Sequence, residues 1–136
     1  MEKLLEMRGI TKRFPGVIAN RDVNFDLMSG EVHALLGENG AGKSTLMKIL
    51  FGIYKPDSGE VFLDGKPLEV NSPSSAIAAG IGMIHQHFML VPSLSVTENV
   101  ALGRGTSKMH EVERQLEDLA NEYNLIVDPK AKIWQL

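Results

Sequence analysis

Gly37-Glu38-Asn39-Gly40-Ala41-Gly42-Lys43-Ser44 is the stretch on which the reading of this chain turns. It has the spacing G-x-x-x-x-G-K-[ST]. The apolar run Glu31-Val32-His33-Ala34-Leu35-Leu36 lies before it, and Leu46, Ile49 and Leu50 recur at helical spacing after it. Strand, glycine loop and helix in that order suit the capture of a phosphate. Glycines reach left-handed backbone conformations, so successive N–H groups can converge on one anion at the positive end of the following helix. Lys43 would then reach the β- and γ-phosphates of a nucleoside triphosphate, and the Ser44 hydroxyl would ligate a Mg²⁺ bridging the same two groups. Glu38, Asn39, Gly40, Ala41, Gly42 and Thr45 complete the expected cradle. With the residue frequencies of this chain, four such fixed positions arise by chance in about one chain in a hundred, before any strand or helix is required.

Outward from the loop, hydrophobic period and Gly/Pro punctuation give an order of elements. Leu4 to Ile10 alternates loosely ahead of a Pro15-Gly16 turn, and Val23-Asn24-Phe25-Asp26-Leu27 alternates cleanly, as half-buried antiparallel strands do. The unbroken apolar run 31–36 reads instead as a strand buried on both faces in a parallel sheet, and Ile81 to Gln86 as a second one with a polar tip. A helix from Lys43 should stop near Gly52. Glu60 to Leu63 reads as a further strand, and Ser72-Pro73 as the cap and first residue of a short helix ending at Gly80. Beyond Pro92, Ser95-Val96-Thr97-Glu98 offers a capping box. Val112, Leu116, Leu119 and Tyr123 then mark one face of a helix whose other face is charged. Residues 1–90 thus read as mixed α/β and 91–136 as helical.

Composition narrows the classes. The chain has 136 residues, no cysteine, 43% hydrophobic residues and a net charge of -3. A disulfide scaffold and a Cys-based zinc site are excluded, and nucleic acid is a poor default partner for a slightly acidic chain. The apolar runs fall far short of the ~18 residues that span a bilayer, and the start lacks a signal peptide's apolar core. A soluble intracellular chain is the expectation. His85 and His87 flank Gln86 without a third ligand nearby and read as polar packing at a strand exit, while the scattered methionines read as core filler.

Around the loop the sequence resembles the nucleotide-binding domain of ATP-binding cassette transporters over its whole length. Ile10-Thr11-Lys12-Arg13-Phe14-Pro15-Gly16-Val17 looks like the family's adenine-contacting segment, which implies stacking of Phe14 on the base and a contact from Val17. On the residues alone, Phe14 could equally be a strand side chain packed into the antiparallel sheet. Ile81 to Gln86, followed by His87-Phe88, resembles the family's glutamine loop. The resemblance implies that Gln86 ligates Mg²⁺ or positions the attacking water; without it, Gln86 is a solvated amide at a strand end. Leu94 to Val100 is similar to the segment that opens the helical subdomain facing the permease. The run Gly80 to Val91 looks like the importer branch for simple sugars and nucleosides.

The resemblance therefore implies an α/β fold: a P-loop core with a small antiparallel subdomain (1–90) and the start of a helical subdomain (91–136). Its ligands are ATP and Mg²⁺. Its partners are transmembrane permease subunits through the segment after Gln86, a second nucleotide-binding domain set head to tail, and, indirectly, an extracellular solute-binding protein. The expected place is the cytoplasm, peripheral on the inner face of the cell membrane. Rival readings are a soluble ATPase of the same family in translation or DNA repair, a P-loop kinase or GTPase, and a module that only binds nucleotide or dimerises. No apolar strand ending in Asp-Glu follows residue 90, and Trp134-Gln135-Leu136 looks like the approach to the family's signature motif. The expectation is thus an N-terminal portion of a larger cassette that exposes apolar surface and tends to self-associate. By itself it should bind Mg-ATP weakly with negligible turnover; a steady ATPase rate abolished by Lys43→Ala would contradict this.

Overall fold

The computed structural model describes residues 3–87, 89–102 and 108–136. Phe88, quoted above within the glutamine-loop run, lies outside them. The described residues divide into two compact units that meet in sequence between Met83 and Ile84. Residues 84–90, grouped above with the α/β part, fall in the second unit.

In the first unit, β1 (Lys3–Phe14) and β2 (Val17–Met28) form a long antiparallel hairpin closed at Pro15-Gly16. Next come α1 (Lys43–Leu50), β3 (Ser58–Leu63), β4 (Lys66–Pro67) and α2 (Pro73–Ala78). The sheet order is β2-β1-β3-β4, antiparallel throughout, which puts β1 in the middle. Leu5, Met7 and Ile10 of β1 form one buried cluster with Val61 of β3 and with Leu46 and Ile49 of α1. Each such side chain contributes about 1.5–3 kcal/mol on leaving water. Strict alternation would send Ile10 to the other face. The β1–β2 register slips between Met7 and Ile10, where Gly9 takes a φ of 62°, and this bulge returns Ile10 to the core. The loose alternation of 4–10 is the trace of that bulge.

The mixed α/β class and the small antiparallel sheet match expectation; the two parallel core strands do not. Residues 31–36 and 81–86 form no strand and pair with none among the described residues. Val32 is 99% exposed, Leu36 88% and Ile84 91%. A strand of continuous apolar residues is stable only between ladder partners and under cover on both faces. All four described strands belong to the one antiparallel sheet, so neither segment has a parallel ladder to join among the described residues.

Helix α2 begins as expected. Ser72 Oγ accepts from Ser75 N at 3.1 Å, while Ser75 Oγ accepts from Ser72 N at 3.1 Å, a reciprocal cap with Pro73 at the first helical position. Gly80, at φ 85°, ends it, and Ile81 N donates to Ala76 O at 2.9 Å.

In the second unit, α3 (Val96–Leu102) and α4 (Met109–Glu122) are followed by a single 3₁₀ turn, Ile133–Gln135. The start of α3 is a capping box: Glu98 N donates to Ser95 Oγ at 3.1 Å, and Ser95 N donates to Glu98 Oε2 at 2.6 Å. The returning segment is tied to this same corner. Val96 N reaches Ala131 O at 3.0 Å, Ile133 N reaches Leu94 O at 3.0 Å, and Lys132 Nζ lies 3.1 Å from Glu98 Oε2. Asn99 adds bonds to Val91 N, Val91 O and Ser95 O. The Ser95 N–H, and after it Lys132, hold the Glu98 carboxyl below the ordinary glutamate value.

A group with its folded pKa depressed stabilises above its unfolded value and loses that contribution as pH falls through the folded one. The second unit should therefore weaken on acidification below the usual glutamate range. Ser95→Ala should cost about 1 kcal/mol at neutral pH, whereas Glu98→Gln, which removes the titrating group, should flatten that acid dependence. Far-ultraviolet circular dichroism melts at several pH values measure both.

Candidate functional site

The loop 37–44 sits at the N-terminus of α1 with the conformations its glycines were expected to supply. Gly40 has φ 86° and Gly42 φ 88°, and Ala41 N donates to Glu38 O at 3.1 Å, closing a tight turn. Gly42 caps α1, and its carbonyl accepts the helix's first bond from Leu46 N at 2.9 Å. The backbone N–H groups at the head of the helix have no partner within it, which makes them donors for an anion. No acidic residue lies in that first turn to compete.

Lys43 Nζ folds back over the loop, donating to Gly37 O at 2.5 Å and Glu38 O at 2.7 Å. The Lys43 ammonium is thus held at the rim of the loop by neutral carbonyls, with no carboxylate in an ion pair with it among the described residues. Gly37, Glu38, Asn39, Gly40, Ala41 and Ser44 are exposed; Thr45 and Lys43 are half-buried. A Ser hydroxyl at this place is a hard oxygen ligand of the kind a Mg²⁺ shared with phosphate oxygens accepts, usually with only one or two protein ligands. Among the described residues no group of three or more His, Asp or Glu side chains could by itself hold a metal ion.

Gly42 leaves no room for a side chain. A Cβ there would come within 2.1 Å of Ala19 O and 2.8 Å of Asn20 Nδ2, so the loop lies directly on β2. Asn20 is 5% exposed and donates through Nδ2 to Gly42 O at 3.2 Å. Sequence reasoning overlooked Asn20. The alternation of β2 points Val23, Phe25 and Leu27 inward, and a positive φ at Asp22 (51°) shifts the phase before residue 20.

Phe14 ends β1, half-buried, while Val17 opens β2 and is 56% exposed. The Phe14 ring meets Tyr54 edge to face with centroids 5.3 Å apart, and Lys12 Nζ lies 5.5 Å from its centroid. Tyr54 in turn has Lys48 Nζ 5.6 Å from its centroid. Asp57 fastens this corner, accepting from Arg13 N at 2.6 Å and from Lys12 Nζ at 3.3 Å. The Arg13 N–H, ahead of Lys12, draws the Asp57 carboxyl below the ordinary aspartate range. Tyr54, Lys12 and Asp57 carry no motif and were not legible as neighbours of Phe14. Gln86 is exposed and belongs to the second unit, whereas the loop belongs to the first.

The ABC transporter family matches residues 20–135. The chain is 52% identical over its whole length to the ribose import ATP-binding protein of Rubrobacter xylanophilus and 47% identical over 97% of its length to the guanosine import ATP-binding protein of Bacillus subtilis. It spans 28% and 27% of those proteins. A solved ATP-binding cassette of an ABC transporter superposes with a TM-score of 0.84 at 24% identity, covering all of this chain and 59% of that one, a likeness of fold.

Because Gly42 is both left-handed and in contact with backbone, Gly42→Ala should lower stability by about 2 kcal/mol or more and disorder the loop. Urea titration measures the first. The loss of protection at the Leu46 amide, which bonds to Gly42 O at 2.9 Å, measures the second by hydrogen exchange.

Proposed function

The chain belongs to the ABC transporter family, and from this premise we propose that it is the nucleotide-binding part of an importer ATPase. It binds Mg-ATP and, within the full-length protein, takes part in the hydrolysis that drives uptake of a simple sugar or a nucleoside. The observation that carries this reading is the loop at the head of α1. It combines left-handed Gly40 and Gly42, unpaired helix N–H groups and a Lys43 ammonium held at the rim. The importers named above support the solute class.

In this reading the N–H groups of the loop and of the first turn of α1 bind the β-phosphate, and Lys43 swings from the Gly37 and Glu38 carbonyls to the β- and γ-phosphates. The driving force is the exchange of neutral acceptors for charged ones. Phe14 stacks on adenine with Val17 beside it, the ring braced by Tyr54. Ser44 and the side-chain oxygen of Gln86 would hold Mg²⁺, which would supply neutralisation of the phosphate charge. Gln86 also orients the attacking water. Turnover further requires charge stabilisation on the far side of the γ-phosphate and a group to accept the water's proton. A second cassette set head to tail supplies part of this in the complete protein.

The segment that follows Gln86 docks on permease subunits, and a solute-binding protein acts through them. The protein is placed at the cytoplasmic face of the membrane. Among the described residues no helix is long and apolar enough to cross it. The net charge of -3 gives no support to nucleic acid as a partner.

The test uses the full-length protein with its permease in proteoliposomes. Lys43→Ala should weaken Mg-ATP binding at least tenfold and abolish both hydrolysis and uptake. Gln86→Ala should lower kcat about a hundredfold while leaving Mg-ATP affinity within a few-fold, the signature of a group that acts at the chemical step. Undiminished hydrolysis in the Lys43 variant would refute the assignment.

A further inference from the structure

Asn20 is a buried amide placed where its cost needs a reason. It is 5% exposed, sits in β2 opposite Lys12, and leaves its Oδ1 without a hydrogen-bond partner among the described residues. Burying a polar atom unpaired is unfavourable, and an apolar side chain of similar volume would avoid the penalty. What the amide does gain is one bond, Nδ2 to the carbonyl of Gly42 at 3.2 Å.

That carbonyl has an unusual position. It belongs to the left-handed residue that caps α1, and it also accepts the first helical bond from Leu46 N at 2.9 Å. The peptide plane of Gly42 therefore sets both where the glycine loop ends and how the first turn of α1 is aimed. A carbonyl with two lone pairs can take both donors, one along the helix and one from the strand below. The neighbouring carbonyl, Ala19 O, stands 2.1 Å from where a Gly42 Cβ would be, so strand and loop are in contact at this point.

We propose that Asn20 is a positioning residue for the phosphate-binding loop, holding the Gly42 peptide so that the N–H groups ahead of α1 stay aimed at the triphosphate. The proposal rests on the reading of the loop as the Mg-ATP site. Asn20 touches no substrate; it acts through Gly42. Its effect falls on the phosphates and is indifferent to the base.

The experiment uses full-length protein carrying Asn20→Leu or the isosteric Asn20→Asp. The readouts are nucleotide-free melting temperature, affinity for Mg-ATP and Mg-GTP, and KM against kcat. Asn20→Leu removes the orphan oxygen, so its melting temperature should hold or rise. Its affinity for both nucleotides should fall by the same factor, about three- to tenfold for one lost neutral hydrogen bond, with KM raised to match. Asn20→Asp turns the donor into an acceptor facing the Gly42 carbonyl and should lose more, and it tests the same point if the leucine variant does not fold. A lower melting temperature with unchanged affinity, or a loss confined to one base, would overturn the proposal. Lys43→Ala separates the two levels: if it binds Mg-ATP as tightly as the parent, the reading of the loop fails, whatever Asn20 does.

Discussion

The packing of Leu46 and Ile49 onto Leu5, Met7 and Ile10 decides where everything else in the first unit can be. Those two helix residues are three apart, one turn, and face the same side of α1. Burying them presses the helix onto the middle strand of the sheet and leaves its N-terminus over β2. The loop that precedes the helix has no choice but to run against that strand, and only glycine fits at the point of contact. The geometry of the glycine loop is therefore a consequence of hydrophobic packing. The glycines permit the loop to follow a path that the core has already imposed.

How much of this could be read from the residues depends on the range over which each signal acts. Local chemistry was legible. The caps at Ser72 and Ser95, the turn at Pro15-Gly16 and the glycine loop involve residues within a few positions of one another, and each formed as its side chains require. The long hairpin was legible less cleanly, because bulged register shifts, with Gly9 and Asp22 at positive φ, break the two-residue period that marks a strand. Those same irregularities turn Ile10 into the core and, on β2, leave Asn20 buried beneath the loop.

The apolar runs 31–36 and 81–86 show the other limit. Their composition states a preference for burial on both faces, but a strand exists only through hydrogen bonds to other strands. Sequence pattern registers the demand; pairing depends on partners remote in the chain. Val32 and Leu36 are accordingly exposed while Leu35 alone leans on the core cluster. The matched cassette is longer than this chain, which covers 59% of it.

The corner around Phe14 follows the same logic at smaller scale. An aromatic at a strand end can pack inward or present a face, and nothing within a few residues decides between them. The decision is made by Tyr54 and Asp57, forty or more positions away in sequence: one meets the ring edge to face, and the other fastens the strand end through Arg13 N. With its edge contact satisfied and Lys12 nearby, the Phe14 ring is held rather than buried, remaining half-exposed. A ring fixed in orientation but still open on part of its surface has little conformational entropy left to lose in any further contact. The turn between α1 and β3, which carries no recognisable motif, is thus what fixes the Phe14 ring.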